Sequence, residues 1–416
     1  MPDVNPKRTV AELEALRALT ADEGGARRVA WTETWLEARR WLTEKAVRLG
    51  LDTRLDPAGN LWCVLHGRSD RRLVLGGHMD SVPGGGWLDG CLDLLAGLEV
   101  IRRIADEHGG HPPVTVCLVD WADEEGARFG RSVFGSSAAA GSLVVDDERH
   151  RTDRDGIRFE DALRHCGVEL DQAPEAEREL ANVAAYLELH IEQGPVLLDR
   201  GLPLGVVVGT FGVERHVLTF RGQAAHAGST PMDRRRDALL AAARMSPELY
   251  VMTRRHGGVS TIGSCVTRPG IVTSVVEECD VTLDQRHLDA DGLAALLCHA
   301  RKASGRFASE ADVDVHWHPL LSIEPVAFHP ELIALAEEAV EHVAGTSHRL
   351  PSGPLHDASE IARAGIPSVM LFVRSLHGIS HSTLEDSCIE DIEKAVLALD
   401  LLARKTMAWI EETLPV

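Results

Sequence analysis

The stretch that most constrains the fold is LVLGGHMDSVPGGGWLDG, residues 73–90. A short apolar run, Leu73 to Leu75, enters a glycine-rich turn, with His78 and Asp80 where the strand ends and Asp89 on the loop beyond. A strand end that presents a histidine and carboxylates at close spacing is how an α/β protein builds a metal site. Three further segments repeat the arrangement. VTVCLVDWADEEG (114–126) ends in Asp123, Glu124 and Glu125, and AYLELHIEQG (185–194) ends in His190, Glu192 and Gln193. SVMLFVRSLHGISH (368–381) runs into a loop holding His377 and His381. Packing alone gives no reason for four strands to end in ligand-type residues.

A chain of 416 residues is long enough for two or three domains and for a core that folds without staples. Its formal charge of −21 argues against a nucleic-acid footprint, which needs clustered Lys and Arg in excess. The eight cysteines contain no CxxC pair, and several sit inside apolar runs, which reads as reduced, mostly buried thiols. The first 50 residues carry charge without an apolar core of the signal-peptide kind, and no apolar run approaches a membrane span. A soluble, cytoplasmic enzyme is the expectation.

In chain order, residues 8–50 carry helical spacing, PAGN (57–60) is a turn before a strand at 61–65, and a helix runs from Leu92 to about His108. The charged stretch 145–184 reads as helices and loops on the outside. From about residue 212 the texture changes: 216–220 and 280–289 alternate like half-exposed antiparallel strands, with an amphipathic helix over 234–245 between them. HWHPLLSIEPV (316–326) reads as a return to the first texture. A terminal helix follows, with Ile392, Val396, Leu399, Ala403, Met407 and Ile410 spaced by three and four. The pattern predicts a discontinuous α/β domain over 1–212 and 326–416, interrupted by a smaller domain over 213–325.

His78, Asp89, Glu125, His190 and His381 all fall at predicted strand ends or adjoining loops. Imidazoles with carboxylates suit zinc, manganese or cobalt better than calcium, which prefers oxygen alone. Five ligands exceed one tetrahedral zinc, but they match two metals about 3.5–4 Å apart that share one carboxylate and a water.

The sequence resembles the amidase/hydantoinase/carbamoylase family, which comprises N-carbamoyl-L-amino acid hydrolases, β-ureidopropionases and allantoate amidohydrolases. That family lies within the two-zinc aminoacylase/carboxypeptidase group. The resemblance runs from GLDTRLDPAGNL (50–61) to the final helix. It rests on GHMDSVP (77–83), DEEGARF (123–129), HIEQGP (190–195), GQAAHAGSTPMDRRRDAL (222–239), LDQR (283–286) and HD with GISHS (356–382). It implies a mixed-sheet, two-zinc exopeptidase-like catalytic domain with an inserted α+β, ferredoxin-like domain for dimerisation and closure, in a homodimer. It further implies two divalent ions, zinc or else manganese, cobalt or nickel. His78 and His190 would hold one, Glu125 and His381 the other, with Asp89 between them. Glu124 would be the general base, Asp80 would orient His78, and His226 would stabilise an oxyanion. Gln193, Arg286, Thr273, Leu355 and His356 would lie on the substrate side, with Arg286 clamping a carboxylate. For Arg286 a structural ion pair with Asp284 is the alternative.

Several positions depart from the family pattern. Thr273 stands where an asparagine is usual, and SGPLHD (352–357) places Pro354 and Leu355 where the family has small residues. Asp93 replaces a glycine, and Trp87 a residue that is often arginine. The implied reaction is hydrolysis of a linear amide or ureido bond in an N-carbamoyl-amino acid or related ureido acid, with altered surroundings for the carboxylate. Allantoate, N-acyl-amino acids and dipeptides are the alternative substrates. A non-catalytic metal-binding module would be expected to have lost the base or a ligand, and neither is missing here.

Overall fold

The computed structural model describes residues 3–413. The chain forms two compact units: one runs to Val208 and resumes at Phe328, and the other is Gly209–Ala327. The divisions thus fall at 208 and 328, where the sequence texture placed them at 212 and 326.

The first unit is built on a mixed sheet. Strands Thr115–Trp121, Arg72–His78, Val183–Ile191 and Ser368–Val373 lie side by side and parallel. Leu61–Leu65 and then Asp52–Leu55 extend one edge antiparallel, and Leu204–Thr210 extends the other. Every residue of Thr115–Trp121, Val183–Ile191 and Ser368–Val373 is buried, as in a parallel sheet covered on both faces. That burial explains why these strands read as near-continuous apolar runs, broken only where a side chain does chemistry. The parallel strands share a direction, so their carboxyl ends, which carry His78, the Asp123–Glu125 turn, His190 and the loop to His381, gather along one edge.

Helix Cys91–His108 leaves that edge directly from the Asp89 loop. Gly90 turns the chain at φ 69°, and a Cβ there would lie 2.2 Å from the His78 carbonyl oxygen, so the tight exit needs glycine. The terminal helix Ile389–Thr413 packs against Cys91–His108 and Pro330–Ala344. All six of its predicted apolar positions are buried, and Asp400 accepts a 2.6 Å hydrogen bond from the buried Arg103 of the neighbouring helix.

In the second unit the strands lie in the order Val259–Arg268, Glu278–His287, Gly212–Arg221, Asp314–Ile323, each antiparallel to its neighbour. Helices Ala238–Ala243, Met245–His256 and Ala290–Glu310 pack against the sheet around Phe220, Leu249, Val281, Leu283, Leu296 and Phe307. The element order β-α-β-β-α-β with the first and third strands adjacent is that of the split β-α-β motif.

Three expectations change in detail. The helix predicted from 234 begins at Ala238, because the Asp237 side chain accepts hydrogen bonds from the Leu239 and Leu240 amides and caps it there. Residues 316–323 do not return to the first unit; they lie in the edge strand of the second sheet, and Leu320 and Leu321 are exposed on it. Cys265 and Cys298 are exposed rather than buried, while Cys63, Cys91, Cys117 and Cys279 are buried; none of the eight is disulfide-bonded. No helix among the described residues is long and apolar enough to cross a membrane.

Candidate metal centre

The strand ends bring all five predicted ligands together, in two groups that share one residue. His78, Asp89 and His190 form the first; Asp89, Glu125 and His381 form the second. The Asp89 carboxylate straddles the two. Its Oδ1 lies 3.5 Å from His78 Nε2 and 3.1 Å from His190 Nε2, while its Oδ2 lies 3.5 Å from His381 Nε2. Glu125 Oε2 is 3.3 Å from the same His381 nitrogen.

The backbone sets which nitrogen each buried imidazole offers. His78 Nδ1 is 3.1 Å from the Asp80 carbonyl oxygen, and His190 Nδ1 is 2.9 Å from the Ile191 carbonyl oxygen. A carbonyl only accepts, so both Nδ1 atoms carry the proton in the neutral ring and both Nε2 lone pairs point into the centre. Acceptors then face acceptors: two imidazole lone pairs against carboxylate oxygens. His78 Nε2 and Glu125 Oε1 are buried there without a hydrogen-bond partner. Such a donor set fits a divalent cation with mixed nitrogen and oxygen ligands.

The electrostatics agree. Burial opposes a charged His78, yet Glu124, Asp80 and Asp89 outweigh it and lift its pKa well above the usual histidine value. His190 behaves likewise, with Asp93 and Asp89 overcoming burial. Burial, reinforced by Asp357, Glu125 and Asp80 against the pull of His78, raises Glu124 well above the ordinary carboxyl range. Burial and Asp89 push Glu125 up to about 7.

Glu124 belongs to neither ligand group, and its Oε2 is 3.8 Å from His78 Nε2. Asp80 does more than sit behind His78. His78 Nδ1 lies 3.1 Å from its carbonyl oxygen and 3.5 Å from its Oδ1, and the side chain also holds the turn carrying Glu124: Oδ1 accepts from the Glu124 amide at 3.2 Å and Oδ2 from the Glu125 amide at 3.1 Å. The backbone is strained where it presents these groups: Asp123 (φ 59°), Gln193 (φ 57°) and His381 (φ 55°) all lie in the left-handed region.

The residues expected on the substrate side fall in both units, and each is described within its own. In the first, Gln193 Nε2 donates to Asp89 Oδ2 at 2.9 Å, and its Oε1 is buried without a partner. His356 is buried, with its Nε2 2.8 Å from Ser352 Oγ and its ring centroid 4.5 Å from that of His190. Burial, with His190 next, holds its pKa well below the usual value, and the ring packs behind the candidate ligand His190. Leu355 is half-buried. In the second unit, His226 is exposed and its Nδ1 accepts from the Gly228 and Ser229 amides. Exposed Thr273 accepts from the Ala227 amide at 2.9 Å, beside the pairing of Ala225–His226 with Ser274–Val275. Arg286 donates from Nε to Asp284 Oδ1 at 2.9 Å, the ion pair weighed as the alternative.

Ser380 and Glu385 were not anticipated. Both touch the centre, Ser380 Oγ at 3.0 Å from Asp89 Oδ2 and Glu385 through the Asp89 amide. They lie in a loop with no periodicity to mark them. The only cue was an acid four residues after a candidate ligand histidine.

A family model for Peptidase family M20/M25/M40 matches residues 74–405. The chain is 37% identical over 373 residues to an N-carbamoyl-L-amino acid amidohydrolase of Geobacillus stearothermophilus, covering 88% of this chain and 90% of that one. It is 35% identical over 390 residues to an allantoate amidohydrolase of Escherichia coli, covering 93% and 94%. Among solved structures, a hydantoinase/carbamoylase family amidase of Burkholderia multivorans superposes with a TM-score of 0.86 at 32% identity, over 96% of this chain and 98% of that one. With the ligand geometry, the family match and relatives that align end to end, the chain belongs to peptidase family M20/M25/M40 and, within it, to the hydantoinase/carbamoylase amidases.

Proposed function

We propose that this protein is a metal-dependent amidohydrolase that cleaves a linear carbon–nitrogen bond other than a peptide bond, with an N-carbamoyl-L-amino acid or related ureido acid as substrate. The observation that carries this reading is the Asp89 carboxylate placed between two ligand groups, with Glu124 beside them and outside both. Relatives named for N-carbamoyl-L-amino acid and allantoate hydrolysis support it.

His78, His190 and Asp89 would hold one divalent ion, and Asp89, Glu125 and His381 a second. Zinc suits these donors best, with manganese, cobalt and nickel accepting the same set. Bound there, the ions supply Lewis acidity toward the scissile carbonyl and acidify water at the site. Glu124 takes a proton from the attacking water at its carboxylate and returns it to the leaving nitrogen. A carboxylate beside the two ligand groups and outside both is placed for both halves of that task. Asp80 keeps Glu124 and Glu125 in register by holding their amides. For an N-carbamoyl substrate the products are the amine, carbon dioxide and ammonia.

Arg286 is assigned to the substrate carboxylate, Gln193 to its polar head and His226 to the oxyanion, in a homodimer. Thr273, Pro354 and Leu355 shift the preference away from the commonest N-carbamoyl-amino acids. Changing Arg286 to lysine is expected to raise KM for an acid substrate roughly 10–100-fold with little change in kcat, because a planar fork becomes a point charge. Steady-state kinetics check it; an unchanged KM removes Arg286 from recognition and leaves it as the partner of Asp284.

The second reading, an allantoate amidohydrolase, is favoured by the relative of that name that covers 93% of the chain. A panel of N-carbamoyl-, N-formyl- and N-acetyl-amino acids, β-ureidopropionate, allantoate and a dipeptide, offered to the zinc-loaded protein, separates the readings. Ammonia released fastest from one ureido acid is the expected result. Faster turnover of the dipeptide would overturn the proposal.

A further inference from the structure

Glu385 lies in the loop between His381 and the terminal helix and is 2% exposed. Its Oε1 accepts from the Leu88 amide at 3.2 Å and the Asp89 amide at 3.1 Å. Its Oε2 lies 2.9 Å from Ser380 Oγ, and that hydroxyl is also 3.0 Å from Asp89 Oδ2. One carboxylate therefore holds two backbone amides of the Asp89 loop, and the Ser380 hydroxyl, whose single hydrogen serves one carboxylate at a time, stands between it and the Asp89 side chain. The approach is close: a Cβ on Gly86 would come within 2.2 Å of Glu385 Oε1, so the loop carrying Asp89 can lie on this carboxylate only because residue 86 has no side chain.

Asp89 needs such a hold. Its two oxygens face different partners, Oδ1 toward His78 and His190 and Oδ2 toward His381. A small rotation about its side-chain bonds would deny one group its oxygen. The residue sits on a loop rather than within a strand, so the loop itself must be fixed. The His381 loop and the Asp89 loop are about 290 residues apart in sequence, and Glu385 with Ser380 joins them. We propose that Glu385 is a positioning residue that, through the Leu88 and Asp89 amides and the Ser380 hydroxyl, sets the Asp89 carboxylate across the two ligand groups.

This rests on reading Asp89 as the shared metal ligand. The test is a calorimetric titration of chelator-treated protein with zinc alone, comparing wild type with Glu385→Ala, Glu385→Gln, Ser380→Ala and Asp89→Asn, beside thermal unfolding of each metal-free protein. Glu385→Ala should weaken zinc binding about 10–100-fold, the usual effect of losing a partner behind a ligand. Glu385→Gln should recover most of it, because the amide oxygen still accepts both backbone N–H groups and the amide nitrogen still reaches Ser380. Ser380→Ala, which leaves the backbone clamp in place, should show a smaller loss and keeps the test open if Glu385→Ala folds poorly. Equal zinc affinity in wild type, Glu385→Ala and Ser380→Ala overturns the proposal, and so does a glutamine variant as weak as the alanine one. Wild-type protein that takes up no zinc, or an Asp89→Asn variant that binds like wild type, overturns the reading of Asp89 instead.

Discussion

Glutamine in place of Glu124 is expected to lower kcat by about 10²–10⁴-fold, the usual contribution of a positioned general acid–base group. Zinc content and KM should stay near wild type. The substitution keeps the shape of the side chain and removes only its capacity to hold a transferable proton. The backbone that carries it is held independently, since Asp80 accepts from the Glu124 and Glu125 amides whichever side chain follows. Glu124 also stands outside both ligand groups, so its loss leaves the ligands in place. Paired kinetics and metal analysis decide the matter. A parallel fall in zinc content would make Glu124 a ligand, and an unchanged kcat would remove it from the proton path.

The gathering of the candidate ligands was legible in the sequence because an α/β sheet does much of the geometry. Parallel strands share a direction, so ligand-type residues at four strand ends converge without any knowledge of the loops, and His78, Glu125 and His190 follow from that alone. The terminal helix was legible for a similar reason, since spacing by three and four survives any packing environment. What was hidden lies where no period operates. Glu385 and Ser380 act from an irregular loop and touch a residue nearly 300 positions away. The main work of Asp80, capping two amides across another strand end, is a contact at a separation of 44 and 45 residues, with no local mark. Residues 316–323 misled because adjacent Leu320 and Leu321 look like a buried run. They sit beside a register shift between Pro319 and Leu321 on an edge strand, where apolar side chains stay exposed. Arg286 shows a further limit: Asp284, two residues back on the same face of the strand, was always within reach, and sequence could not say which partner holds the guanidinium.

Alanine in place of Asp89 should have the widest effect of any single change, because its carboxylate is the one element common to both ligand groups. Wild-type protein is expected to take up two equivalents of zinc, and the alanine variant less than one, with activity down on the order of 10³-fold or more, several kcal/mol of lost Lewis-acid stabilisation. The two groups should not respond alike to milder change. His78 and His190 are buried with their Nδ1 protons fixed on backbone carbonyls, whereas the His381 side chain is 49% exposed. A buried, pre-oriented pair holds an ion against competition from water better than a half-exposed one. A dilute chelator should therefore remove the ion between Glu125 and His381 first, and His381→Ala should retain one equivalent while His190→Ala disturbs the tighter position. Metal analysis across the three variants reads the arrangement directly. If Asp89→Ala and His381→Ala retained the same single equivalent, the carboxylate would serve the second group alone, and the 3.1 Å approach of its Oδ1 to His190 would be an ordinary ion pair.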